Sequence, residues 1–118
     1  MTRIALLGAA LVTALALAAP IGAASSVTKL TGTVGPGFTI TLKKGTAKVK
    51  TLKAGTYKIT VNDKSNIHDF HLTGPGVNKM ITTISFKGTK SVTVRLKKGS
   101  YTYRCDPHPT IVGHFTVK

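Results

Sequence analysis

Apolar and polar residues alternate with a period of two along most of this chain. Phe38, Ile40 and Leu42 share one face, Tyr57, Ile59 and Val61 a second, and Val92, Val94 and Leu96 a third. Successive side chains on a strand point to opposite faces, so this alternation predicts half-buried β-strands. Turn signals separate the runs: Gly35-Pro36-Gly37, Lys44-Gly45, Ala54-Gly55, Asn62-Asp63, Gly74-Pro75-Gly76 and Lys98-Gly99. About eight short strands in so short a chain predict an all-β fold, a Greek-key antiparallel β-sandwich whose two sheets face each other across one core. Beyond the N-terminal run, no segment has helical periodicity.

A short echo recurs at Leu42-Lys43-Lys44-Gly45, Leu52-Lys53-Ala54-Gly55-Thr56-Tyr57 and Leu96-Lys97-Lys98-Gly99-Ser100-Tyr101. It predicts a repeated corner in which Leu enters the core, Gly takes a positive φ and Tyr anchors the next strand. Lysines at these corners and on outer faces also blunt unpaired sheet edges.

The N-terminus changes the picture of what folds. Arg3 precedes an apolar run from Ile4 to Ile21, and Gly22 and Ala24 stand at the minus-three and minus-one places of a cleavage site after Ala24. Residues 1–24 are read as a secretory signal peptide and 25–118 as the single mature domain; an uncleaved membrane anchor is the other reading of the apolar run. The protein is thus expected outside the cytoplasm, periplasmic or extracellular at the cell surface, with no stable membrane insertion after cleavage. Removing Arg3 leaves sixteen Lys and Arg against Asp63, Asp69 and Asp106, a net charge near +13. Such a charge suits an acidic partner protein or an anionic cell surface. Nucleic acid is not the expected partner, because the lysines are scattered over strand-like segments rather than clustered.

Cys105 is the one cysteine of the chain, so no intramolecular disulfide can form. In an oxidising compartment a lone thiol is vulnerable unless buried or bound. Alternation places Tyr101, Tyr103 and Cys105 on one inward face, and Pro107 forces a bend that can bring His108 beside the thiol. Taken alone, this Cys-x-x-His pair fits a buried cysteine with a nearby loop histidine equally well. Upstream, His68, Phe70 and Leu72 share a face, adding an imidazole from a second segment. Two imidazoles and a thiolate are the donor set of a blue-copper centre, whereas structural zinc takes four protein ligands. His71 and His114 have the opposite parity and are expected at the surface or behind the ligands.

From Tyr101 to Pro109 the chain reads Tyr-Thr-Tyr-Arg-Cys-Asp-Pro-His-Pro, and Asn66-Ile67-His68-Asp69-Phe70 precedes it. These motifs resemble those of the cupredoxins, in the plastocyanin and amicyanin branch, and the resemblance covers the whole mature segment. It implies a copper site with His68, Cys105 and His108 as ligands. Two positions depart from the family pattern. Where many members have Asn immediately after the first histidine, tying the ligand loops together, Asp69 stands here behind the ligands; an ionised carboxylate accepts hydrogen bonds but does not donate them. Where the short-loop members have an axial methionine, Ile111 stands here and cannot ligate. Met80, in the loop and strand after Val77, is not the expected replacement, and the Ile67 carbonyl is the remaining candidate for a long axial contact.

The resemblance implies outer-sphere electron transfer by a monomer holding one copper ion. Extracytoplasmic copper storage or delivery, and a metal-free surface interaction module, are the alternatives. Catalysis is not expected: the sequence has no Ser/His/Asp set, no paired carboxylates in a recognisable motif and no phosphate loop.

Overall fold

The computed structural model describes Ala10 and residues 27–118; apart from Ala10, the proposed signal peptide and its cleavage site lie outside the described residues. The chain forms ten strands: β1 (Thr28–Val34), β2 (Ile40–Lys44), β3 (Ala47–Lys48), β4 (Thr51–Leu52), β5 (Gly55–Asp63), β6 (Phe70–Gly74), β7 (Val77–Thr82), β8 (Gly88–Leu96), β9 (Gly99–Cys105) and β10 (His108–Val117). Eight of these have five residues or more, and the two-residue β3 and β4 are additions to the expected set. One sheet has the order β3-β2-β1-β5-β8 and the other β4-β10-β9-β6-β7. Among the described residues no helix is long and apolar enough to cross a membrane.

The expected alternation is visible in burial. Tyr57, Ile59 and Val61 of β5 are buried while Thr56 and Lys58 between them are exposed. Two seams differ from a purely antiparallel sandwich: β1 runs parallel to β5 from Thr28↔Tyr57 to Val34↔Asp63, and β4 runs parallel to β10. The passage through β4 in the opposite sheet returns the chain to the end where β1 began, so β5 starts there too.

Between the sheets lie Leu30, Val34, Leu42, Ile59, Val61, Phe70, Leu72, Leu96, Tyr101, Tyr103, Phe115 and Val117. Aromatic rings stack within this layer, Phe70 on Tyr103 at 5.5 Å and Tyr101 on Phe115 at 5.1 Å between centroids. The corner device is confirmed in detail. Gly45 has φ +60°. The Tyr57 hydroxyl donates to the Lys53 carbonyl at 2.6 Å. Tyr101, which accepts from the Lys97 N–H at 2.9 Å, reaches back over the same four residues.

Phe38 departs from expectation. It does not share a strand face with Ile40 and Leu42, but stands in the loop before β2 and is 68 % exposed. Gly35 and Gly37, at φ +70° and +77°, turn the chain there and end the alternation. That loop, the segment before β6, the β7–β8 connection and the β9–β10 turn all lie at one end of the sandwich, where Val34 meets Asp63 and Asp63 meets Gly88.

Candidate metal centre

Three side chains converge at this end. Cys105 closes β9, pointing inward as its alternation with Tyr101 and Tyr103 requires, and is fully buried. His108 opens β10 directly opposite Cys105 in register, so Asp106-Pro107 makes the tight turn that brings ring and thiol together. His68 is also fully buried, although it lies in the segment leading into β6 rather than on the strand itself.

The distances are 3.0 Å from His68 Nδ1 to His108 Nδ1, 3.4 Å from Cys105 Sγ to His68 Nδ1, and 3.6 Å from Cys105 Sγ to His108 Nδ1. A triangle of those sides has its centre about 1.9 Å from each corner, just inside metal–nitrogen and metal–sulfur bonds of about 2.0–2.3 Å. Among the described residues these three form a cluster of suitable donors, two buried and His108 half-buried. With Nδ1 of His68 turned into the triangle, a neutral ring carries its proton on Nε2, which is buried and has no hydrogen-bond partner among the described residues. The three residues therefore fit a small ion held by two imidazoles and one thiolate, and among the described residues no fourth side-chain donor of the kind structural zinc requires joins them.

Burial pushes the Cys105 thiol above its usual pKa, and the backbone N–H groups of Asp69 and His108, directed at the sulfur, oppose that shift. Metal binding must therefore displace a proton here. Complete burial also keeps this lone thiol from reaching a second copy of the chain.

Asp69 is fully buried beside the cluster, and its Oδ1 accepts the Asp106 backbone N–H at 2.6 Å. Burial pushes the Asp69 carboxyl up, and the Asp106 carboxylate adds to the effect. Asp106 is held below the usual carboxylate range: burial opposes this, but hydrogen bonds from Asp69, His71 and Arg104 outweigh it. His71, placed by sequence at the surface or behind the ligands, is half-buried; its Nδ1 meets Asp106 Oδ2 at 2.8 Å and its Nε2 faces Asn78 Oδ1. Burial disfavours its charged form, yet the bonds to Asn78 and Asp106 raise its pKa overall. His114 is exposed and bonds the Thr102 hydroxyl at 3.1 Å.

Ile111 is buried at the inner edge of an irregular stretch of β10, where the register jumps from His108↔Cys105 to Val112↔Arg104. Met80 is exposed on β7, and the Ile67 side chain is half-exposed while its N–H bonds Ser65 Oγ at 3.2 Å. The residue that alternation did not place at the site is Phe38. Its ring meets His68 and His108 edge-on, at centroid distances of 5.3 and 5.2 Å. The Gly-Pro-Gly turn just before Phe38 was the available signal.

A two-sheet sandwich with a His-Cys-His cluster at one end, two of its members buried, has the cupredoxin fold, and the cluster fits a blue-copper site. Among solved structures the chain is similar to the copper protein rusticyanin (20 % identity, 76 % of each chain covered, TM-score 0.56). Rusticyanin from Thiobacillus ferrooxidans also matches (23 %, 76 % of each chain, TM-score 0.51). An oxidised amicyanin variant aligns at 20 % identity over 75 % of this chain and 80 % of its own, with TM-score 0.45. No protein-family profile matches the sequence, and no curated protein matches it.

Proposed function

We propose that this chain is an exported type I copper protein that carries electrons by outer-sphere transfer, with His68, Cys105 and His108 holding one copper ion. The observation that carries this reading is the convergence of three donor atoms from two separate loops on one point. The metal would supply the Cu(I)/Cu(II) couple. The chain's own part is to hold the donors still: Cys105 and His108 are fixed by strand pairing, His68 by burial, and the two loops by the Asp69–Asp106 bond. A rigid donor set changes little between oxidation states, which keeps reorganisation small. His108, beside exposed Phe38, is the one donor of the three that is only half-buried, so it is the ligand through which an electron would leave, and a carrier needs no substrate cleft. We read the protein as a carrier rather than an enzyme, and as a monomer that meets an acidic redox partner or an anionic surface outside the cytoplasm.

Titration of the exported protein with Cu(II) tests this. One equivalent should produce an intense visible thiolate charge-transfer band that reduces and reoxidises reversibly; the band should vanish in Cys105→Ser. Copper binding unaffected by that change would refute the assignment. Ile111 at the usual axial position favours copper delivery as the second reading. Rapid copper transfer to an acceptor protein, without electron exchange to a redox protein, would select it.

A further inference from the structure

The sheet β3-β2-β1-β5-β8 turns one face to the core and the other to solvent, and the solvent face has an unusual composition. Every outward position of its four long strands is Thr, Ser, Asn, Lys or Arg. No apolar side chain and no acid interrupts it. All three aspartates of the mature segment sit at the metal end instead, Asp63 and Asp69 buried and Asp106 engaged by His71 and Arg104.

Strand register then concentrates the positive charge. Lys29 stands directly opposite Lys58 on the parallel β1–β5 seam, and Lys43 opposite Lys48 on β2–β3. Like charges directly opposite each other destabilise a sheet, and among the described residues no lysine makes an ion pair. Arg95, opposite Thr56, extends the field to the β8 edge. The outward face of the other sheet differs: along its strands it presents Arg104, already bonded to Asp106, together with Thr73, Thr102, Thr116 and His114.

We propose that the outward face of the β3-β2-β1-β5-β8 sheet docks flat on a lipid bilayer that carries anionic phospholipid headgroups. The charge complementarity is direct, and the partner would relieve the Lys29–Lys58 and Lys43–Lys48 repulsions. A bilayer suits this face better than a single polyanion chain, because the cations are spread over the breadth of a five-stranded sheet rather than aligned along a groove. With nothing apolar to insert, the contact stays at headgroup level and falls off within a Debye length. In this posture the metal end points along the membrane plane, leaving Phe38 and His108 free for a partner moving on the same surface. This goes beyond the electron-transfer reading and does not depend on it, since none of these lysines touches the cluster.

The test uses the exported protein, its N-terminus verified by mass spectrometry, with vesicles of phosphatidylcholine alone or mixed with phosphatidylglycerol. It should sediment with the mixed vesicles at low salt, stay free of the neutral ones, and be released as salt rises. Vesicles should protect Lys29, Lys43, Lys48 and Lys58 from acetylation while Lys53, Lys97 and Lys98, in the turns at the end of the sandwich away from the metal cluster, stay more reactive. Changing Lys29, Lys43 and Lys58 to Gln should weaken binding about fivefold per lysine; the same change at Lys53, Lys97 and Lys98 should cost clearly less. Equal losses in the two triple variants, uniform protection, binding indifferent to lipid charge, or binding to soluble polyphosphate without binding to vesicles would each overturn the proposal. Metal-free protein should bind as the copper-loaded protein does, so failure here is separate from failure of the copper assignment.

Discussion

Asp69 Oδ1 accepts the backbone N–H of Asp106 at 2.6 Å, a bond between the segment that carries His68 and the turn that carries Cys105 and His108. An amide oxygen can accept the same bond, which explains how Asp serves where the resembling family often has Asn. Asp69→Asn should therefore keep copper affinity. Asp69→Ala removes the acceptor and leaves the Asp106 N–H unpaired, and should weaken copper binding about 10- to 100-fold, the usual cost of losing a group that orients metal ligands. Competition titration with a chelator measures it; equal affinity in Ala and Asn variants would show that the bond does not organise the site.

The Phe38 ring covers both imidazoles edge-on while most of it faces solvent. Phe38→Ala should admit water to the His68–His108 edge. Water stabilises the more highly charged oxidised ion, so the reduction potential should fall, by tens of millivolts, since the apolar shell governs local dielectric. Voltammetry on the copper-loaded variant checks this, and a potential that rises would contradict it.

Ile111, which stands where the resembling family has its axial methionine, bears on the same quantity. An aliphatic side chain donates no electron density to oxidised copper, and a thioether does so weakly. Ile111→Met should lower the potential relative to the parent protein; an unchanged or higher value would show that residue 111 does not sit on the metal axis.

What could be read in the sequence, and what could not, follows from how far each signal reaches. Cys105 and His108 were legible because strand alternation and a three-residue turn are local, and their facing register bears this out. The burial of His68 followed from its parity with Phe70 and Leu72, all three of which are fully buried, but its place beside Cys105 and His108 could be read only by combining the two segments. The parallel seams β1–β5 and β4–β10 were not legible, since pairing between distant strands is a tertiary choice that alternation does not encode. Phe38 was misplaced because a period of two continues on paper through Gly35-Pro36-Gly37, whereas positive φ at both glycines turns the backbone away. The Asp69–Asp106 bond was half visible: the acceptor was evident, but its partner was a backbone group that no side-chain pattern marks.

The pairing of His71 with Asp106 gives the fold a pH dependence. The His71 pKa is raised in the folded protein, its burial being outweighed by Asn78 and Asp106. The stabilisation is therefore fully present below the unfolded histidine value of about 6.5 and is lost as pH rises through the higher folded value. Asp106, with its pKa lowered, contributes above the ordinary carboxylate range and loses that contribution as pH falls through its folded value. Thermal denaturation of the metal-free protein should show wild type above His71→Gln by ~1 kcal/mol in mildly acidic buffer, a size usual for partly exposed pairs. The difference should shrink as the medium becomes alkaline; a constant gap would mean that His71 acts by packing alone.

Gly113 pairs directly with Tyr103 across β9 and β10, and a Cβ placed there would run into the Tyr103 ring. That ring cannot retreat freely, because it is fully buried and stacked on Phe70 at 5.5 Å. Gly113→Ala should cost about 1–3 kcal/mol in chemical denaturation, as overpacking of a filled core does. Gly45→Ala provides the contrast: a Cβ there meets open space, and only its φ of +60° is unfavourable, so the loss should stay near 1 kcal/mol. The two variants should also differ at the metal. Tyr103 stands two residues before Cys105 on the same inward face of β9, so a displaced ring in Gly113→Ala should shift the thiolate charge-transfer band, while Gly45→Ala, at the far end of the sandwich, should leave it unmoved.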